Sequence, residues 1–137
     1  MAQPRPARKS ERGLTLLETV VALAIIFIVF LGLTDAGLLV MDYNINNTLR
    51  DEAVLVSDNV LAMTRQTQYS VLNALPKGVP VSLGNSVRQI RGFSQTYRRS
   101  RTFTGLSPEV LQVLVDVSWD RRGRTYNHQA TTIVRNR

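Results

Sequence analysis

The sequence predicts an α+β chain. A long N-terminal helix, transmembrane in its first half and amphipathic in its second, packs on a small antiparallel β-sheet head. Three observations predict it. Thr19 to Leu33, TVVALAIIFIVFLGL, carries no charge. Ile45, Leu49, Ala53, Val56, Val60 and Met63 then recur at spacings of 3 and 4, the period of one helix face. Val110 to Trp119 alternates instead, with Leu111, Val113, Val115, Val117 and Trp119 on one face at period two.

The first residues, 1–13, are polar and basic. Arg5, Arg8, Lys9 and Arg12 stand against Glu11, and Pro4 and Pro6 discourage regular structure. The apolar run follows. Leu14 to Thr34 is 21 residues, about 31 Å as a helix at roughly 1.5 Å per residue. That matches a hydrocarbon core of about 30 Å. Glu18 lies just inside this run, and a carboxylate in hydrocarbon is a functional hypothesis by default. Four bases precede the run, while Asp35 and Asp42 are the first charges after it. The positive-inside rule therefore puts the N-terminus in the cytoplasm and the C-terminus on the far side.

The apolar character persists to Met41, so residues 14–41 form one hydrophobic helical segment. Residues 42–75 continue it as an amphipathic helix, to about Leu72. Gly32 and Gly37 weaken it by about 1 kcal/mol each relative to alanine. Leu75-Pro76-Lys77-Gly78 ends it, because proline and glycine both break helices. Residues 76–137 make the small β head. Val79 to Leu83 reads as a short extended piece, confined to an edge by Pro80. Gly84-Asn85-Ser86 reads as a turn. Ile90 to Phe103 reads as an exposed strand or a long loop. Val110 to Trp119 is the clearest strand. Asp120-Arg121-Arg122-Gly123 is a turn, and Arg124 to Val134 returns as the second arm of a hairpin.

Composition narrows the function. The chain has no cysteine, which excludes disulfides, thiol chemistry and thiolate metal sites. Its one histidine, His128, leaves no ligand set for zinc. No nucleophile motif, Walker loop or metal-spaced pair is present. We expect no enzyme, no catalytic residue, no metal and no cofactor. The net charge of +7 is uneven. Asp35 to Asp58 holds five acids against Arg50, and Arg65 to Arg137 holds twelve bases against three acids. A basic head attracts anionic partners.

Gly13-Leu14-Thr15-Leu16-Leu17-Glu18, with the basic leader before it and the apolar run behind it, resembles the processing site of type IV prepilins. That family includes major and minor pilins and the pseudopilins of type II secretion. The resemblance covers roughly residues 5 to 41. It implies cleavage by prepilin peptidase between Gly13 and Leu14, then N-methylation of Leu14. Leu14 replaces the commoner phenylalanine. It implies that Glu18 is an assembly residue, pairing with the terminal amine of a neighbouring subunit. Without that partner, Glu18 reads as an acid near a helix N-terminus, favoured by the macrodipole. The implied partners are other pilin subunits, the prepilin peptidase, the inner-membrane assembly platform and the membrane itself. The implied location is the bacterial inner membrane, with the head periplasmic, and then a pilus or pseudopilus. The V-x-V-x-W strand and C-terminal hairpin resemble minor pilins of the pilus-modification kind and the I-type pseudopilin. The best reading is a minor pilin, with the pseudopilin as alternative.

A nucleic-acid-binding, pilus-associated protein is the reading of another class. Arg88, Arg91, Arg98, Arg99 and Arg101 interleave with Phe93, Tyr97 and Phe103. Arginines and aromatics together can take phosphates and stack bases. Arg98, Arg99 and Arg101 are the candidate anion contact. Strands alternate, so a solvated basic face over an aromatic core is the favoured reading of the same residues. Arg121, Arg122 and Arg124 read as ordinary surface at a turn.

Overall fold

The structure is a computed structural model that describes residues 11–136, and their side chains from residue 15 onward. Residues 1–10 of the expected leader, and residue 137, lie outside the described residues. The order of elements is α1 (Glu11–Gln66), α2 (Tyr69–Asn73), β1 (Val81–Ile90), β2 (Phe93–Ser107), β3 (Val110–Arg121) and β4 (Arg124–Arg135). The strands form one antiparallel sheet in the order β1-β2-β3-β4, each paired with its sequence neighbour. The chain divides into two units, the first ending at Asn44 and the second running from Ile45 to Arg137. A long apolar helix with a helix-covered four-stranded sheet is the α+β arrangement expected.

In the second unit the core lies between α1 and the sheet. Leu49, Ala53, Val56, Val60 and Leu61 meet Leu111, Val113, Val115, Val117 and Trp119 of β3 there. The strict alternation of β3 puts all five of those strand residues at 0–4% exposure. β2 adds Tyr97 and Phe103, and β1 adds little beyond Ile90. The other face of the sheet is rich in Ser, Thr, Asn and Gln, as expected of an antiparallel sheet with one wet side.

Several expectations are corrected. The helix does not run to Leu72. It ends at Gln66, Gln68 takes an extended conformation (φ −59°, ψ 139°), and α2 follows. Leu72 explains the break. It lies 23 residues beyond Leu49, about 140° round a continuous helix and off the core side. The break brings it fully into the core. Met63 is not buried either. It is 66% exposed, while Ser57 and Thr64 are fully buried. The buried face drifts round α1 toward its C-terminus because it follows a twisted sheet. Thr64 is tolerated there since its Oγ1 donates to the Val60 carbonyl at 2.7 Å.

The edge strand is longer than a short extended piece. β1 reaches Ile90, and the expected turn at Gly84-Asn85-Ser86 is an irregularity inside it, with the register shift between Ser82 and Asn85. Gly84 sits at φ 75° there. Ile90 to Phe103 is neither loop nor exposed strand throughout. Arg91 and Gly92 form a two-residue turn and β2 begins at Phe93. Asp120 and Arg121 still belong to β3, so the second turn is only Arg122-Gly123.

Tyr97 joins helix to sheet. Its hydroxyl donates to the Leu49 carbonyl at 2.9 Å. Burial first, then the Glu52 charge, pushes its pKa up to about 12, against a smaller opposing effect of Arg88. A tyrosine in the unfolded chain ionises near 10. Its contribution is therefore complete below about pH 10 and is lost as pH rises toward 12. Denaturant titrations should show parent stability falling through this alkaline window more steeply than that of Tyr97→Phe. Parallel curves would contradict the buried hydroxyl.

Candidate functional site

In the first unit, α1 is apolar all round. From Leu16 to Met41 the large apolar side chains are each 50–70% exposed. A helix of that kind has to be covered by lipid or by other protein. It is long and apolar enough to cross a membrane. The hydroxyls of Thr19 and Thr34 are satisfied by the helix itself. Thr19 Oγ1 donates to the Thr15 carbonyl at 2.8 Å, and Thr34 Oγ1 to the Phe30 carbonyl at 2.9 Å. Glu18 is the only ionisable side chain from Thr15 to Thr34, and it is exposed on the helix. Gly13 and Leu14 continue the same helix one turn earlier, and their side chains lie outside those described.

A model of the prokaryotic N-terminal methylation motif matches residues 8–34. The N-terminus is similar to that of type IV pilins. The match supports the type IV pilin and pseudopilin family, and the motif points to a structural subunit. It spans Gly13, Leu14, Glu18 and the apolar run as far as Thr34. No curated protein and no solved structure matches the chain.

The three arginines of the candidate anion contact do not share a face. Arg98 points to the outer face and donates to Asp120 through both terminal nitrogens, at 2.5 and 3.1 Å. This bond raises the Arg98 pKa. Together with a hydrogen bond from Thr125 it brings the Asp120 carboxyl down to about 2. Arg99 and Arg101 lie on the helix side, in the row of Tyr97 and Phe103, and are half-buried. Arg99 Nη2 donates to the Leu83 carbonyl at 3.0 Å, beside the irregularity in β1. The Arg101 guanidinium lies 5.2 Å from the centre of the Phe103 ring, a cation–π distance. Arg88 Nε is 3.9 Å from Glu52 on α1.

These contacts divide the basic cluster among separate structural tasks. Tyr97 and Phe103 are 0% exposed, so neither ring can stack on a base. Only Phe93, at 37%, keeps a face open. The geometry therefore gives little support to single-strand nucleic-acid binding through β2. His128 is half-buried opposite Val117. Among the described residues no group of three metal-ligating side chains converges. A cleft between the end of α1, α2 and the end of β4 is lined by Arg65, Tyr69, Ile133 and Arg135. Arg65 is already committed there, donating to Thr132 Oγ1 at 2.9 and 3.0 Å.

Sequence reasoning missed the turn at Arg91-Gly92 and drew the one at Arg122-Gly123 two residues too long. Both are Arg-Gly, with Arg91 and Arg122 at φ 43° and 48°. Each arginine precedes a glycine between two strands, which was the available signal.

Proposed function

We propose that the chain is a minor pilin, a structural subunit that enters or primes a type IV pilus. The observation that carries this reading is the N-terminal methylation motif at residues 8–34, set on a helix whose apolar surface is open all round. In this reading prepilin peptidase removes residues 1–13 by cutting between Gly13 and Leu14, and Leu14 is N-methylated. Glycine suits the cut because no side chain obstructs the approach to the backbone. Cleavage there keeps the apolar run, unlike an ordinary secretory signal.

The subunit waits in the bacterial inner membrane with its N-terminus cytoplasmic and its head periplasmic, as the flanking charges direct. The assembly platform then lifts it into the fibre, where α1 packs against other pilin subunits. Glu18 sets the register by meeting a neighbour's terminal amine, because an ionised carboxylate in a dry interface requires a charged partner.

Mass spectrometry of the protein from cells with an active prepilin peptidase should find a chain starting at Leu14 with one added methyl group. Recovery only of chains that keep residues 1–13 would overturn the processing step. Co-recovery in sheared pili, rather than with a secretion apparatus, separates the pilus from the pseudopilus.

A further inference from the structure

We propose that the two hairpin tips of the head form a basic foot that docks on anionic phospholipid headgroups while α1 anchors the chain. This rests on membrane anchoring, but not on entry into a fibre.

Both tips are built alike. Ile90 pairs with Phe93 around Arg91-Gly92, and Arg121 pairs with Arg124 around Arg122-Gly123. All four turn residues have positive φ, 43° and 90° in one turn, 48° and 75° in the other. Such turns favour Asn, Asp or Gly at the first position. An arginine there is strained, since a side chain at positive φ is disfavoured.

Topology gathers the tips. In a four-stranded meander the first and third turns fall at one end of the sheet, and the Pro108-Glu109 turn falls at the other. The first end therefore holds Arg91, Arg121, Arg122 and Arg124. Asp120, the acid of that end, is held by Arg98 and Thr125. With Asp42 counted against them as the acid just before the head in sequence, the arginines still outnumber acids. Two aromatics add surface suited to a headgroup layer: Phe93 is 37% exposed and Tyr126 36%.

This is also the end where α1 enters the head. Arg121 donates to Asn46 Oδ1, and Ile45 packs against the core. Ile45 follows Thr34, the end of the apolar run, by only eleven residues, a chain that spans at most about 40 Å. The tether thus holds the head close to the bilayer surface, where each base is drawn to anionic lipid.

The test uses the full chain in phosphatidylcholine vesicles with and without phosphatidylglycerol. The chain has no cysteine, so Ser94→Cys, one residue past Phe93, takes a single fluorophore, and lipid-borne quenchers report its approach. Flotation of the vesicles first checks anchoring, and a chain that fails to float refutes the anchored reading itself. Among floating chains, quenching should be several-fold stronger with phosphatidylglycerol and should fall with added salt. Arg91→Asn, Arg122→Asn and Arg124→Gln combined should abolish the difference. The two asparagines suit the turns better than arginine, and the buried Trp119 reports by its emission that the variant head is folded, so lost docking is separated from unfolding. Equal quenching in both lipids, or quenching unchanged in the triple variant, would overturn the proposal.

Discussion

Glu18→Leu is expected to reach the membrane and fold its head as the parent does, and to be nearly absent from fibres. Glu18 sits four residues into the apolar run, some 6 Å of helix rise after Leu14. It belongs to the first unit, whereas the core of the head begins at Ile45. Replacing it by leucine removes a desolvation cost, so the variant enters the bilayer at least as readily. In the proposed role of Glu18 the loss falls on the subunit contact. An amine buried at that contact without its carboxylate costs about 3–5 kcal/mol, a hundredfold or more in subunit addition. The measurement compares parent and variant for leader processing, membrane level and recovery in sheared pili. The first two should be near normal and the third strongly reduced. Normal recovery in pili would strip Glu18 of its assembly role and leave the helix-dipole account of the acid.

The elements that were legible in the sequence have strong periods. The β3 run Val110–Trp119 declared both its strand and its buried face, since every second residue is β-branched, aromatic or leucine. The apolar run declared itself by length and lack of charge. Failures came where the determinant is tertiary. Met63 continues a helical stripe as well as Thr64 does on a straight cylinder. Only the twist of the sheet selects Thr64. The break after Gln66 likewise serves Leu72, whose core place does not show in local propensity. In the β1–β2 region, alternation was masked by arginines on the inner face. Arg88, Arg99 and Arg101 occupy positions where apolar residues would reveal a strand, and they are accommodated by Glu52, the Leu83 carbonyl and the Phe103 ring. The same masking made Arg98, Arg99 and Arg101 look like one cluster. The N-terminal site needed no tertiary information, because its glycine, acid and apolar run are contiguous.

Val113→Asp should unfold the head, and should do so more completely than Val115→Asp. Both valines are 0% exposed on the inner face of β3, in the core with Val56 and Val60. A carboxylate there loses its water, and an unpaired buried charge costs several kcal/mol. Small domains are stable by only about 5–15 kcal/mol, and this head has a thin core. The two sites differ in their cross-strand neighbours. Val113 lies between Phe103 and Thr132, neither of which carries a charge, and the Arg65 guanidinium beside it is already held by Thr132. Val115 lies between Arg101 and Ala130, so an aspartate there has a guanidinium directly across the strand. That neighbour offsets part of the desolvation. Val113→Ala serves as the volume control, losing only packing, about 1–3 kcal/mol. Trp119 supplies the readout. It is the single tryptophan, 4% exposed, with the rings of Tyr97 and Tyr126 each 5.8 Å away. Its emission should shift to the red in Val113→Asp at neutral pH, shift less in Val115→Asp, and stay near the parent in Val113→Ala. Adding Arg101→Leu to Val115→Asp should bring that variant down to the level of Val113→Asp. A folded Val113→Asp head, or a Val115→Asp head indifferent to Arg101, would mean that the register between β2 and β3 is not the one described.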